Sequence, residues 1–245
     1  MVQSIFTDAD EYDFLHQDIV DDIPFFVNLA KEVGGPALEL GCGTGRISLP
    51  IARRGIEVVG MDISPSMVGK AMRRAKEENL PVRCFVGDMR RFALKRRFPL
   101  VIVPFNAFSH LYTFEDIKGF FESVSGVLAK RGRLVVDIFN PDADILKGST
   151  VRRLVGSYKD KEGREVMVYG TSWYDARTQI NHVKWYFTRG DEEWVREFTM
   201  RVFFPQEVMN YARFMGFEVE GAYGDYNGGD ITASSPRILL ILRKG

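Results

Sequence analysis

The chain has 245 residues, 45% of them hydrophobic, and its 33 basic side chains balance 33 acidic ones. That length buries one substantial α/β core with room for an insertion, and zero net charge removes any general pull toward nucleic acid or an anionic membrane. No apolar run reaches membrane-spanning length, and Met1-Val2-Gln3-Ser4 lacks a basic segment followed by an apolar stretch, so a cytoplasmic protein is expected. The basic stretches Arg73-Arg74, Arg90-Arg91 and Lys95-Arg96-Arg97 are interleaved with acids and read as solvated faces. Cys42 and Cys84 are the only cysteines, which argues for a reducing compartment and against a disulfide framework. Neither is spaced with His16, His110 or His182 as metal ligands are, so no metal site is expected.

Taken in chain order, Ala37 to Leu40 reads as a buried strand that runs into Gly41-Cys42-Gly43-Thr44-Gly45, and Ile47 to Ala52 opens a helix. Glycines at alternate positions allow positive φ and let a ligand lie against the backbone, while the helix start offers free N–H groups to an anion. A dinucleotide fingerprint would need its third glycine where Arg46 stands, and the remaining alternative is a turn that merely joins strand to helix. A second apolar strand, Ile56 to Asp62, ends in a carboxylate placed to accept both hydroxyls of a ribose held over the first turn. Ser64-Pro65 then caps a helix through Asn79. A third strand, from Pro81, ends in Gly87-Asp88-Met89, and a fourth, Leu100 to Val103, leads into Pro104-Phe105-Asn106-Ala107-Phe108-Ser109-His110-Leu111. Apolar spacing predicts a helix over Glu115 to Leu128, closed by Lys130-Arg131-Gly132, and a fifth strand over Arg133 to Phe139. Strands alternating with helices imply right-handed crossovers and a parallel sheet with ligands at its carboxyl edge. From about Val151 to Pro205 polarity alternates, turn signals fall at Lys161-Glu162-Gly163 and Arg189-Gly190-Asp191, and all three tryptophans occur, which predicts inserted antiparallel strands. A helix from Pro205 to Met215, a strand from Phe217 and a last strand from Arg237 to Leu242 complete the pattern.

Glu39-Leu40-Gly41-Cys42-Gly43-Thr44-Gly45 resembles the first motif of the class I S-adenosylmethionine-dependent methyltransferases, a strand ending in Glu or Asp followed by Gly-x-Gly-x-Gly. Within that family the chain is similar to small-molecule enzymes, glycine N-methyltransferase and the amino-sugar N,N-dimethyltransferases, which carry an inserted sheet as a lid. The likeness to the latter extends to the His110-Leu111 loop end, to Tyr12 and to Tyr223-Gly224-Asp225-Tyr226. The resemblance implies a Rossmann-like, seven-stranded, mostly parallel sheet with helices on both faces, formed by residues 1–145 and 206–245. Residues 146–205 would be a β-rich substrate lid. It implies S-adenosyl-L-methionine as cofactor, S-adenosyl-L-homocysteine as product, and Glu39, Gly41, Gly43, Gly45, Asp62, Ile63 and Met67 around it. Asp88 would accept from the adenine amino group while the Met89 backbone reads the ring. Asn106 would meet the amino group of the methionine moiety, and Arg46 either lies near its carboxylate or starts the helix. His110 is the candidate general base, needed only if the acceptor must lose a proton, or else a structural histidine. Tyr12 closes the site, orients the acceptor, or packs the N-terminal helix. The expected acceptor is a small molecule methylated at nitrogen, with oxygen as the alternative; a non-catalytic adenosyl-binding module and a nucleotide-binding oxidoreductase are the readings from other classes. Monomer and homodimer both stay open.

Overall fold

The computed structural model describes residues 3–245, so Met1 and Val2 of the first expected domain lie outside the described residues. Along the chain the elements are β1 (Gln3–Ser4), α1 (Ala9–His16), α2 (Ile23–Val33), β2 (Ala37–Leu40), α3 (Ser48–Ala52), β3 (Val58–Asp62), α4 (Pro65–Glu77), β4 (Val82–Val86) and β5 (Phe98–Val103). A 3₁₀ turn (Ala107–His110), α5 (Phe114–Val127), β6 (Leu128–Phe139), α6 (Ala143–Lys147), β7 (Ser149–Lys159), β8 (Glu165–Asp175), β9 (Ile180–Arg189), β10 (Glu192–Arg201), α7 (Pro205–Phe214), β11 (Phe217–Tyr223) and β12 (Arg237–Lys244) follow. Among the described residues they form two compact units, one of Val20–Asn140 with Phe203–Gly245, the other of residues 3–19 with Pro141–Val202.

The larger unit is a seven-stranded sheet in the order β11-β12-β6-β5-β2-β3-β4. Strands β2 to β6 run parallel, and β12 is antiparallel to both its neighbours. Its strands read as near-continuous apolar runs because both faces are covered. Leu38, Leu40, Val101, Val103, Leu134 and Val136 face α5 and α7, packing with Phe120, Phe121, Val208 and Met209. Ala37, Leu100, Ile102, Val135 and Leu239 face the other way, against Phe26 and Val27 of α2, Leu49 and Ile51 of α3 and Ala75 of α4. The expected cap of α4 is present: the Ser64 Oγ accepts from the Met67 N–H at 3.4 Å, with Pro65 in the first turn.

One boundary differs from expectation. Lys130-Arg131-Gly132 does not separate α5 from the next strand; β6 begins at Leu128, directly after the helix. The segment is absorbed as an irregularity between the pairs Phe98–Leu128 and Leu100–Arg133, with Arg131 at φ 63°, so the glycine-containing turn signal became a bulge within a ladder rather than a break before one.

The smaller unit is a five-stranded sheet, β1-β10-β9-β8-β7, antiparallel except for the short β1–β10 pair. The sequence reading placed residues 1–145 in the core, yet the segment through Ile19 and the residues after Asn140 belong to this unit. The reason is local: β1 pairs with β10, and the Glu11 carboxylate on α1 accepts from Trp194 Nε1 at 2.7 Å and from Arg196 Nε at 2.7 Å. Phe14 and Leu15 complete a small core with Tyr158, Val166, Val168 and Phe187. Among the described residues no helix is long and apolar enough to cross a membrane.

Gly60, in the middle of β3, shows how tightly these strands are packed. A Cβ there would stand 2.8 Å from the sulfur of Cys42 and 2.8 Å from that of Cys84. Both cysteines are free thiols. We expect Gly60→Val to lower unfolding stability by at least about 1–3 kcal/mol through overpacking. Gly126→Ala, on the exposed side of α5 with nothing within 4 Å of the new Cβ, should raise it by roughly 0.5–1 kcal/mol; urea unfolding of both variants checks the pair.

Candidate functional site

The chemistry-bearing residues of the larger unit collect at the carboxyl ends of β2, β3, β4 and β5. After β2 the backbone turns through Gly41 at φ 73° and Gly43 at φ 53°, a region side chains resist. Gly41 is tightly covered, since its Cβ would lie 2.6 Å from that of Ala107, whereas no atom comes within 4 Å of a Cβ on Gly43. Open space over Gly43 is where a ligand can lie against the turn. The turn hangs on β3: the Gly41 and Cys42 N–H groups donate to the Met61 carbonyl at 2.8 and 3.0 Å. Asp62 then joins two turns at once, its Oδ2 accepting from the Gly43 N–H and its Oδ1 from the Ser64 N–H, both at 2.8 Å. Burial pushes the Asp62 carboxyl above its ordinary value against the opposing pull of these backbone donors. The Ile63 N–H is a third backbone donor to this carboxylate, which offers about four acceptor positions in all.

Glu39 lies beneath this turn, 2% exposed, accepting from the Ser48 hydroxyl. Desolvation pushes its carboxyl up to about 8. Beside it Arg46 holds the carboxylate of Asp22 with two bonds, 2.5 and 2.6 Å, and lies 4.8 Å over the ring of Phe105. Asp22 is 1% exposed; the sequence reading did not single it out, because an acid two residues before a proline looks like an ordinary helix start. Arg46 is thereby anchored between a buried acid and an aromatic face.

Phe105 and Asn106 both adopt left-handed backbone, φ 49° and 66°. Asparagine tolerates this, but for phenylalanine the conformation costs about 1–3 kcal/mol. It is held by Asp137: Oδ2 accepts from the Phe105 N–H at 2.9 Å, and the Asp137 carbonyl from the Asn106 N–H at 3.0 Å. The same buried carboxylate accepts from the Tyr226 hydroxyl at 3.0 Å and from Arg237 at 2.8 Å, and desolvation still raises its proton affinity. Asp137 was missed from the sequence, although an acid inside Leu134-Val135-Val136-Asp137-Ile138-Phe139 was the available signal. Asn106 uses its Oδ1 to accept from the Phe139 N–H at 2.7 Å and its carbonyl to accept from Ser109. Both of those oxygens brace the loop.

The other expected residues take distinct places. Ile63 is 66% exposed at the tip of β3, an apolar surface set beside Asp62. Met67 is buried on the first turn of α4, and half-buried Met89 packs on the α5 side of the core. Asp88 is bound by Arg90, through the Arg90 backbone N–H at 2.9 Å and through Nη2 at 2.6 Å, which holds its carboxyl below the usual range. Gly45, at φ 88°, closes the turn against Leu49. His110 ends the 3₁₀ turn that Ala107 begins, and residues three apart eclipse in that geometry, so it shares the face that Ala107 presses onto Gly41. Its Nδ1 lies 3.2 Å from the Tyr112 hydroxyl. Tyr12 is in the smaller unit, its carbonyl accepting from His16 Nδ1 at 2.7 Å and its ring 4.2 Å from that of His16.

Residues 37–132 match the family model of a methyltransferase domain. A glycine/sarcosine N-methyltransferase of Parasynechococcus marenigrum (strain WH8102) is 29% identical over 205 residues, 82% of this chain and 70% of that protein. Among solved structures, the CcbJ methyltransferase from Streptomyces caelestis superposes with a TM-score of 0.85 at 24% identity, covering 99% of this chain and 98% of that one. CalS10, an amino pentose methyltransferase from Micromonospora echinaspora solved with S-adenosylmethionine bound, gives 0.72 at 22% identity, with 94% and 92% covered.

The buried acids set a pH dependence. Glu39 moves from an ordinary 4.5 to about 8, so across that window the folded chain keeps a proton that the unfolded chain has released. Folding stability must then fall as pH rises through the window, and the raised Asp62 and Asp137 act in the same direction. We expect the melting temperature without added ligand to decline from pH 5 to 9. The decline should be shallower in Glu39→Gln, which keeps an acceptor for Ser48 and has nothing to ionise; equal slopes would show that Glu39 is charged in the folded chain.

Proposed function

Since this chain is a class I S-adenosylmethionine-dependent methyltransferase, we propose that it methylates a small molecule at nitrogen, with His110 taking the acceptor's proton and residues 146–205 selecting the acceptor. The observation that carries this reading is His110 on the face of the 3₁₀ turn that meets the glycine turn through Ala107. An imidazole titrates near neutral pH and suits removal of a proton from an ammonium acceptor. The glycine/sarcosine N-methyltransferase relative supports nitrogen as the acceptor atom.

Asp62 and the open face of Gly43 fit the nucleoside part of the cofactor: two carboxylate oxygens for two hydroxyls, and space where a side chain is missing. Ile63 offers an apolar surface to the adenine, and Arg46, fixed by Asp22, supplies positive charge for the methionine carboxylate. Asp88 and Met89 flank the adenine side, and Asn106 acts through the loop it braces. When bound, the cofactor supplies a methyl group on a positively charged sulfur. Rate then comes mainly from holding the acceptor nitrogen in line with that methyl, a proximity effect of up to about 7–11 kcal/mol. The Tyr112 hydroxyl steadies the ring that takes the proton. Tyr12 orients the acceptor.

The inserted sheet is assigned to acceptor choice because the chain enters it from the carboxyl end of β6, the sheet edge where the cofactor residues gather. Labelled methyl transfer to glycine, sarcosine and glucosamine, against the hydroxyl compounds catechol and glucose, tests the atom: methylation of the amines is expected, and methylation of the hydroxyl compounds alone overturns it. Asp62→Ala should weaken cofactor binding by about 1.5–3 kcal/mol in calorimetry, the range for hydrogen bonds to a charged group; unchanged affinity would move the ribose elsewhere. His110→Ala should lower turnover of the amine by roughly 10²–10⁴-fold with cofactor affinity intact. Loss of cofactor affinity in that variant would make His110 structural.

A further inference from the structure

Two local costs coincide on the loop after β5 and the strand beside it. Phe105 holds left-handed backbone at φ 49°, and Asp137, inside the apolar run Leu134-Val135-Val136-Asp137-Ile138 of β6, is buried at 0% exposed. A parallel core requires neither: a buried ion pair is often no more stabilising than well-packed apolar side chains, and a glycine would take that backbone freely. The two features serve each other. The Asp137 Oδ2 accepts from the Phe105 N–H at 2.9 Å and from the Tyr226 hydroxyl at 3.0 Å, its Oδ1 accepts from Arg237 at 2.8 Å, and its carbonyl accepts from the Asn106 N–H at 3.0 Å. The Arg237 guanidinium lies 4.7 Å over the Tyr226 ring, and that ring meets Phe25 and Phe26 of α2. The carboxylate is thus fixed from several sides, and it fixes Phe105 in turn. What the fixed backbone presents is the Phe105 ring, the face over which the Arg46 guanidinium lies at 4.8 Å while Asp22 binds its two Nη nitrogens.

We infer that Asp137 is a positioning residue for the amino-acid end of the cofactor: through the Phe105 and Asn106 backbone it sets the loop and the ring beneath Arg46, without touching the ligand. This rests on the reading that Arg46 meets the methionine carboxylate. An outlying backbone conformation held in place by surrounding bonds marks a site where orientation outweighs local stability. When those bonds are weakened the loop relaxes, and apparent affinity falls with the fraction of molecules that keep the competent conformation. The nucleoside end has separate supports. Its glycine turn hangs on the Met61 carbonyl and on Asp62, and Ala107 covers Gly41 rather than the open face of Gly43.

Ligands with and without the amino-acid end separate positioning from plain stability. In calorimetry Asp137→Asn should bind S-adenosylhomocysteine about tenfold or more weakly, the population shift that releasing one strained residue allows. Methylthioadenosine, which lacks the amino and carboxylate groups, should bind that variant as it binds the wild type. Tyr226→Phe removes one donor from the same oxygen and keeps the ring packing, so the ratio of the two affinities should move in the same direction by a smaller factor, with the melting temperature showing a folded chain. Equal weakening of both ligands in Asp137→Asn, or of neither, overturns the inference; if that variant does not fold, an unchanged ratio in Tyr226→Phe overturns it. Arg46→Gln tests the underlying reading. Preference for S-adenosylhomocysteine lost there but kept in Asp137→Asn overturns the inference alone, whereas preference kept in Arg46→Gln overturns that reading, and Asp137 is then judged by its own ratio.

Discussion

The carboxylate of Asp62 accepts the N–H groups of Gly43 and Ser64, and through those two bonds it ties together the turns that follow β2 and β3. One turn follows β2 and the other follows β3, so a single side chain couples two crossover connections. The bonds favour the ionised carboxylate, while burial opposes it. An acid in that position is therefore held oriented before any ligand arrives, and preorganisation of this kind removes an ordering cost from binding. The glycine turn could not take its shape from its own residues: Gly41 and Cys42 also lean on the Met61 carbonyl.

A second buried acid performs a related task for the loop after β5. Asp137 receives the Phe105 N–H, the Tyr226 hydroxyl and Arg237. Removing one partner of such a buried ionic group typically leaves an uncompensated charge, which is far more costly than the group is stabilising. The arrangement keeps two consecutive residues in left-handed backbone, and Arg46 over the Phe105 ring adds a contact from the opposite side. Strain held by a surrounding network is common where a loop must present a side chain in one orientation. Here the loop carries Ala107 against the glycine turn and His110 on the same face.

The smaller unit is built on different terms. Its apolar core is limited to Tyr158, Val166, Val168 and Phe187 with their neighbours, and polar anchors contribute heavily, among them Glu11 with Trp194 and Arg196 and Asp160 with Arg189.

Periodicity and turn chemistry in the sequence determined the parallel core, the glycine turn, the strand-end acids Asp62 and Asp88, and a β-rich insertion, because each is encoded by residues close together in the chain. Lys130-Arg131-Gly132 shows the limit of that local reading: β6 pairing with β5 outweighed a turn signal. What tertiary structure alone decided depends on partners far apart in sequence. Asp22 clamps Arg46 from 24 residues away, Asp137 meets Arg237 across 100, and Glu11 ties the N-terminal helix to Trp194 across 183. Asp88 was legible as a strand-end acid, but its pairing with Arg90 emerged only once side chains were placed.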